Sequence, residues 1–151
     1  FDIADYGLYA ANSLRMEKAY KAWGSDVITP TTAIEAGLEH LMSRDKQYIG
    51  RSTVEMRAED SNAKKLVYLT FDAEDAEAFG NEQVFSSDRA VGTTTSGAYG
   101  HTVAKSIAFA YVAPEFAPAG TELEIGIMGH RCPAQVVDGA LYDPENLRIQ
   151  G

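Results

Sequence analysis

The second part of the sequence, from Lys65 onward, consists of short runs that are typical of β-strands. KLVYLTF and SIAFAYV are rich in β-branched and aromatic residues. EQVFSSDRAVGTTTSG is predicted to form two strands around an Asp88–Arg89 turn, and MGHRCPAQVV two strands around Gly129. TELEIGIMG alternates, which gives three apolar residues a common face: Leu123, Ile125 and Ile127. Five or six short strands at this spacing predict a small antiparallel β-barrel.

The first part of the sequence has helical features instead. Apolar and small residues at helical spacing predict a helix from Asp2 to about Tyr20, ended by Gly24. Its stripe is expected to pack closely against another element, and consists of Ile3, Gly7, Ala10 or Ala11, and Leu14. A capping-box pattern, Thr32-x-x-Glu35, predicts a second short helix, and IGRSTVEMRAED a third amphipathic stretch. The acidic FDAEDAEAFGNE is expected to be a solvated loop. The fold class is therefore α+β.

Composition restricts the classes of function. The 151 residues carry a net charge of −9, which argues against nucleic-acid binding, so an anionic ligand would need a local cluster of Arg or Lys. We find no apolar run long enough to cross a membrane and no signal peptide. The single Cys132 excludes a disulfide within the chain and a thiolate metal site, and fits a reducing compartment: the cytoplasm, or the mitochondrial matrix in a eukaryote. Because the chain starts without Met, we expect a fragment of a longer protein.

Several candidate motifs are rejected on chemical grounds. VGTTTSGAYGHTVAKS contains Lys105-Ser106, but Tyr99 and Ala104 occupy the positions where a phosphate-binding loop needs glycine. A strand, a turn and another strand are predicted there instead. The three histidines are too scattered for a metal site, and nothing resembles a Ser-His-Asp or Cys-His arrangement. We therefore assign no metal ligand and no catalytic residue.

Several separated motifs resemble one known family. SLRMEKAYKAWGSDVITPTTAIEAGL is similar to the aminomethyltransferase (T-protein) of the glycine cleavage system, and looks closer to the C-terminal halves of dimethylglycine and sarcosine dehydrogenases. YIGRSTV, VGTTTSGAYGHTVAKSIAFAYV and ALYDPENLR resemble the C-terminal barrel of that family. The resemblance implies that residues 1–45 are the end of a folate-binding domain and that residues 46–151 are the barrel.

The resemblance also implies a function. The chain would be the C-terminal portion of a tetrahydrofolate-dependent transferase of one-carbon (aminomethyl or methylene) units. The catalytic Asp would lie upstream of Phe1, as would an FAD domain if the protein is of the dehydrogenase type. The expected partners are folate, a small methylated amine or aminomethyl donor, and the rest of the same polypeptide or other subunits.

Five residues are candidates for contacts with folate. Arg15 matches the folate-contacting Arg of the family's Ser-Leu-Arg motif, and a guanidinium can bind a carboxylate of the glutamate tail bidentately. The other four lie in segments that approach the ligand in relatives or offer a ring for stacking: Trp23, His40, Tyr99 and Arg148. Glu17 is expected to be an ion-pair partner that orients the helix.

Alternative interpretations remain. Arg15 can instead be paired with a neighbouring acid, and Trp23 can be a core residue. The chain can be a non-catalytic barrel for assembly or docking. A folate-binding relative that maintains iron–sulfur clusters ranks last, because its Lys-Gly-Cys-Tyr-x-Gly-Gln-Glu signature is missing and the sole Cys132 lies in GHRCPAQ. We expect that thiol to be buried and inert.

Overall fold

The structure is a computed structural model that describes residues 3–43, 45–73 and 76–150, without the side chain of Ile149. The helices are α1 (Leu8–Glu17), α2 (Arg51–Ala58) and α3 (Leu147–Gln150), and 3-10 turns span Glu39–Leu41 and Pro114–Phe116. The strands are β1 (Lys65–Phe71), β2 (Gln83–Ser86), β3 (Arg89–Gly100), β4 (Lys105–Val112), β5 (Glu122–Ile127) and β6 (His130–Val137).

The strands form a closed barrel in the order β1-β4-β3-β2-β5-β6, with every neighbouring pair antiparallel. Leu69 of β1 lies opposite Ala108 of β4 on one side and Val136 of β6 on the other, and all three are buried in the barrel core. The alternating residues Leu123, Ile125 and Ile127 also face this core, as their spacing predicts. The small antiparallel barrel predicted from the sequence is confirmed.

The connections agree with the turn signals. Ser87 and Asp88 join β2 to β3, and Met128 and Gly129 join β5 to β6. The segment proposed above as strand, turn and strand forms β3, residues 101–104 and β4. Within the described part of the loop between β1 and β2, Asp72, Glu77 and Phe79 are exposed, but Ala78 is fully buried. That loop is therefore solvated in part only.

Helix α1 packs on the outer face of the barrel. Met16 is fully buried with Ile107 and Phe109, and its carbonyl accepts a hydrogen bond of 2.7 Å from the hydroxyl of Tyr68. Because side chains alternate along a strand, β4 supplies one set of residues to the core and another to this helix. The helix thus rests on a second apolar cluster outside the barrel.

The predicted extent and packing face of the first helix are wrong in part. Within the described residues α1 begins at Leu8, and Phe1 and Asp2 lie outside those residues. The expected stripe is not the face that packs on this chain, because Ile3 is 87% and Leu14 57% exposed. The face that contacts the barrel instead consists of Ser13, Met16 and Glu17.

The second predicted helix reduces to a single turn. The reciprocal bonds of the capping box are present, since the amide of Thr32 donates to Glu35 at 2.9 Å and the amide of Glu35 to the Thr32 hydroxyl at 3.2 Å. Gly37 then adopts φ +66°, a left-handed conformation that ends helical geometry. The third predicted stretch does form helix α2, but it buries none of its residues.

Candidate functional site

Arg15 lies in the last turn of α1 and is held by three acceptors. Its Nη1 lies 2.7 Å from Oδ2 of Asp26 and donates to the carbonyl of Tyr20 at 3.0 Å. Its Nε donates to Oδ1 of Asn12 at 2.9 Å. Among the described residues, no hydrogen-bond acceptor engages Nη2, and the side chain is 21% exposed. The guanidinium therefore has one nitrogen left for a ligand.

Asp26, the partner of Arg15, is fully buried and saturated with donors. Oδ2 accepts from Arg15 and, at 2.8 Å, from the amide of Ala22. Oδ1 accepts from the hydroxyl of Thr95 at 2.6 Å and from that of Ser96. A buried charge without such partners would cost several kcal/mol. Asp26 thereby links the N-terminal segment to strand β3.

A β-bulge explains how two consecutive hydroxyls reach one carboxylate. Thr94 pairs with Ala110 and Ser96 with Phe109, so Thr95 is an extra residue in β3. Neighbouring side chains of a regular strand point to opposite faces, whereas a bulge re-aims one of them. Sequence reasoning missed Asp26, Thr95 and Ser96, because the run TTTS indicates a strand and contains no signal for the bulge.

Glu17 does orient α1, but not through an ion pair among the described residues. Its carboxylate accepts hydrogen bonds from the backbone amides of Thr102 and Val103, at 2.5 and 3.3 Å. Burial, together with the nearby Glu17 carboxylate, raises the pKa of Tyr68 well above its usual value. Within the part of the chain that the structure describes, backbone donors thus take the place of the predicted cation.

The C-terminal segment lies against the end of α1. Lys18 donates to the carbonyl of Asp143 at 2.5 Å and to its carboxylate at 3.1 Å. The Tyr20 hydroxyl donates to the side chain of Asn146 at 3.2 Å. The guanidinium carbon of Arg148 lies 5.6 Å from the ring centroid of Tyr142. Because the Tyr20 carbonyl also binds Arg15, the segment that carries Arg148 is anchored beside the Arg15 site.

Trp23 and His40 are both exposed. Trp23 is 77% exposed, so it is not a core residue, and its backbone forms an isolated parallel bridge with Val27. His40 lies in the 3-10 turn Glu39–Leu41. Burial lowers the pKa of Lys21, and the charges of Asp26 and Glu39 oppose that shift. Both rings are thus available to a ligand. Among the described residues, neither ring has a hydrogen bond or ring contact with Arg15.

Tyr99 belongs to a different surface. Its carbonyl accepts a hydrogen bond of 2.7 Å from Ser13, and its ring lies edge-on to His101 at a centroid distance of 5.1 Å. It lines an open cavity of about 850 Å³, which Phe71, Lys105 and other residues of β1, β4, β5 and β6 also line. Arg15 does not line this cavity, so the structure does not join Tyr99 to the Arg15 site there.

A second cavity, of about 780 Å³, adjoins the Asp26 network. Thr95 and Tyr111 line it, and the Tyr111 hydroxyl donates to the backbone carbonyl of Asp26 at 2.9 Å. Glu35 and Arg57, whose charged atoms are 3.9 Å apart, also line it. Across the described residues, no group of His, Cys, Asp and Glu side chains is arranged to hold a metal ion. Nor does any described helix have the length and apolarity to cross a membrane.

The sequence of this chain is similar to that of several known proteins. Residues 64–143 match the family described as glycine cleavage T-protein C-terminal barrel domain. The chain is 36% identical to mitochondrial dimethylglycine dehydrogenase of Mus musculus, over 98% of this chain and 18% of that protein. It is also 36% identical to aminomethyltransferase of Prochlorococcus marinus (strain NATL1A), over 90% of this chain and 37% of that protein.

A solved structure has the same fold. The glycine cleavage system aminomethyltransferase T of Bartonella henselae superposes with a TM-score of 0.80 at 22% identity, over 89% of this chain and 38% of that one. The chain spans less than half of each of these relatives. The matched barrel, together with the similarity over nearly the whole chain, shows that this protein belongs to the glycine cleavage T-protein C-terminal barrel family.

Proposed function

We propose that this chain is the C-terminal portion of a tetrahydrofolate-dependent one-carbon transferase. The whole protein is a flavoprotein of the dimethylglycine or sarcosine dehydrogenase type, with FAD in an upstream domain. Residues 1–45 end the folate-binding domain, and residues 46–151 form the barrel. Similarity to dimethylglycine dehydrogenase over 98% of the chain supports this choice.

The role of the chain is to hold the one-carbon acceptor, and the chemistry belongs to the rest of the enzyme. The catalytic Asp lies upstream, so the fragment alone is inactive. The substrates of the whole protein are tetrahydrofolate and a small methylated amine or aminomethyl donor. Relatives named as mitochondrial support the mitochondrial matrix as its location in a eukaryote, and the cytoplasm is the corresponding location in a bacterium.

The observation that carries the proposal is the unengaged Nη2 of Arg15. A protein with a net charge of −9 binds the glutamate tail of folate only where a cation is held locally. Arg15 is such a cation, fixed by Asp26 and Asn12 and still accessible. Because Nη1 binds Asp26 and Nε binds Asn12, Arg15 cannot bind a ligand carboxylate through two nitrogens, as the family resemblance suggested. We propose a contact through Nη2 to one carboxylate.

The remaining candidates have supporting roles in this proposal. Arg148, which follows Asn146 by two residues and lies over the ring of Tyr142, supplies a second cation for the tail. Trp23 and His40 provide exposed rings for the flat part of the ligand. Tyr99 completes the ligand contacts from the barrel only if the ligand or another domain extends to the cavity that its ring lines.

Titration of the full-length protein with tetrahydrofolate tests the role of Arg15. Loss of a charge-assisted hydrogen bond by Arg15→Ala should weaken binding about tenfold or more, and Arg15→Lys should restore only part of it. Arg51→Ala is the matched control, since Arg51 also pairs with an acid but lies on the exposed helix α2. Unchanged affinity together with a lower melting temperature would make Arg15 a structural residue.

The second candidate function is a non-catalytic barrel for assembly or docking. Two observations favour it: Arg15 is already paired with an acid, and residues 3–14 expose a group of large apolar side chains. The Arg15→Ala titration separates the two functions, because an assembly barrel would lose partner binding and keep its folate affinity.

A further inference from the structure

The barrel reaches Arg15 indirectly, through two hydroxyls that bind its partner Asp26. Thr95 and Ser96 of β3 bind one oxygen of Asp26, and Arg15 binds the other. We propose that Asp26, held by the bulge hydroxyls of Thr95 and Ser96, is a positioning residue that aims Nη2 of Arg15 at the anionic tail of the ligand. This inference rests on the ligand role proposed above for Arg15.

The division of donors between the two oxygens fixes the carboxylate plane. Oδ1 takes both hydroxyls, whereas Oδ2 takes Arg15 and the amide of Ala22. A rotation of the carboxyl group about Cβ–Cγ would break all of these bonds together. Asp26 is fully buried, so water cannot replace them. The position of Nη1 of Arg15 is thereby set by strand β3.

The rest of the guanidinium is fixed from the helix. Nε donates to Asn12, whose own side-chain amide donates to the carbonyl of Gly97 in β3 at 2.9 Å. With Nε and Nη1 both held, the planar group cannot turn, so the two N–H bonds of Nη2 have fixed directions. A ligand group that meets a fixed donor does not have to order it, which lowers the cost of binding.

Stability alone does not account for this arrangement. A buried ion pair is often no more stabilising than apolar residues of the same volume, so its retention calls for another role. The bulge adds an extra residue to β3, and bulges are over-represented beside active sites, where they re-aim side chains. Both features are explained if the barrel determines where Nη2 points.

The test uses isosteric variants in the full-length protein. Thr95→Val removes one hydroxyl with little change in shape, and Thr95→Ser keeps it. We expect Thr95→Val to weaken tetrahydrofolate binding about threefold to fivefold, and Asp26→Asn about tenfold. Thr95→Ser should bind like the wild type. In Thr95→Val the KM for tetrahydrofolate should rise by a larger factor than kcat falls, because the contact acts on the affinity for the acceptor.

Two further measurements distinguish positioning from general support of the fold. 6-Methyltetrahydropterin, which carries no carboxylate, should bind Thr95→Val and wild-type protein equally. In the Arg15→Ala background, Thr95→Val should cause no further loss of tetrahydrofolate affinity. Equal weakening of both ligands, or additive losses in the double variant, would overturn the inference. If Asp26→Asn does not fold, the Thr95 pair carries the test.

Failure of this inference is separable from failure of the proposed function. If Arg15→Ala binds tetrahydrofolate as the wild type does, the ligand role of Arg15 is wrong and the positioning inference falls with it. If Arg15→Ala weakens binding but Thr95→Val and Asp26→Asn do not, the ligand role stands and only the positioning inference is overturned.

Discussion

The carboxylate of Glu17 accepts a hydrogen bond of 2.5 Å from the backbone amide of Thr102, which fixes the last turn of α1 to the turn between β3 and β4. Glu17 is 2% exposed, and a Cβ at Gly100 would lie 3.0 Å from its Cγ. Glycine at position 100 therefore leaves space for this side chain. The orientation of α1, and with it the place of Arg15, depends on a buried acid bound to backbone amides.

Glu17→Gln should destabilise the protein by about 1–2 kcal/mol, since an amide oxygen keeps the shape but loses the charge-assisted bonds. Glu17→Ala should cost more, about 3 kcal/mol, because two backbone amides then lack their acceptor. Urea unfolding followed by circular dichroism measures both. Glu55→Gln on the exposed helix α2 is the control, and its change should stay below about 0.5 kcal/mol. Similar losses for Glu17→Gln and Glu55→Gln would contradict the prediction.

Gly97→Ala should be among the most damaging single-methyl substitutions in the barrel. A Cβ at this position would lie 2.3 Å from the carbonyl oxygen of Ala78 and 2.9 Å from its Cβ, so the buried loop must move. Overpacking of this kind costs about 1–3 kcal/mol. Gly7→Ala is the matched control, because nothing lies within 4 Å of the added methyl, and its cost should be at most about 1 kcal/mol. A Gly97→Ala variant as stable as Gly7→Ala would show that the loop yields freely.

The strands were predictable because their signal is local. Val67, Leu69 and Phe71 alternate with residues of the outer face, so KLVYLTF indicated β1 by itself. The capping box at Thr32 and Glu35 was also local, and its hydrogen bonds are present. That signal starts a helix but cannot say how far it continues, and here it ends within one turn.

The site network was not predictable because it depends on residues far apart in the sequence. Asp26 and Thr95 are 69 positions apart, and only the closed barrel with α1 against it brings them together. The family resemblance pointed to Arg15, but it gave no information about the acid that takes one of its nitrogens. The same holds for the face of α1, since a helical stripe does not say on which side the barrel lies.

Cys132 should react slowly with a thiol reagent in the native protein. It is buried in β6, as predicted from the sequence. Its pKa is raised mainly by burial and to a smaller extent by the negative charge of Asp72. The thiolate is the reactive form, so native labelling should need a higher pH than labelling of the unfolded chain. The raised pKa of the Cys132 thiol stabilises the folded protein at a pH below the pKa that the thiol has in the unfolded chain. This contribution is lost as the pH rises through the pKa of the thiol in the folded protein. Labelling with a chromogenic disulfide, with and without urea, measures the effect, and equal rates at pH 8 would contradict it.

The exposed apolar face of residues 3–14 should cause the isolated chain to associate. Leu8 is 86% and Tyr9 79% exposed, and each such side chain contributes about 1.5–3 kcal/mol when it is buried against a partner. We therefore expect concentration-dependent dimers or larger species in sedimentation velocity. Leu8→Asp combined with Tyr9→Asp should give monomers without lowering the melting temperature, because both residues are exposed and Asp is favourable in the first turn of a helix.

Met128→Asp is the control for that experiment. Met128 is 87% exposed at the β5–β6 turn, away from α1, so removal of its apolar side chain should leave the association unchanged. In the full-length protein the paired substitution at Leu8 and Tyr9 should have the opposite consequence and lower the melting temperature, since we expect that face to be covered by the rest of the polypeptide. Two results together would contradict the prediction: a wild-type chain that stays monomeric at all concentrations, and a full-length protein whose melting temperature the substitutions do not change. The face would then pack against no partner, and the assembly role would lack a binding surface.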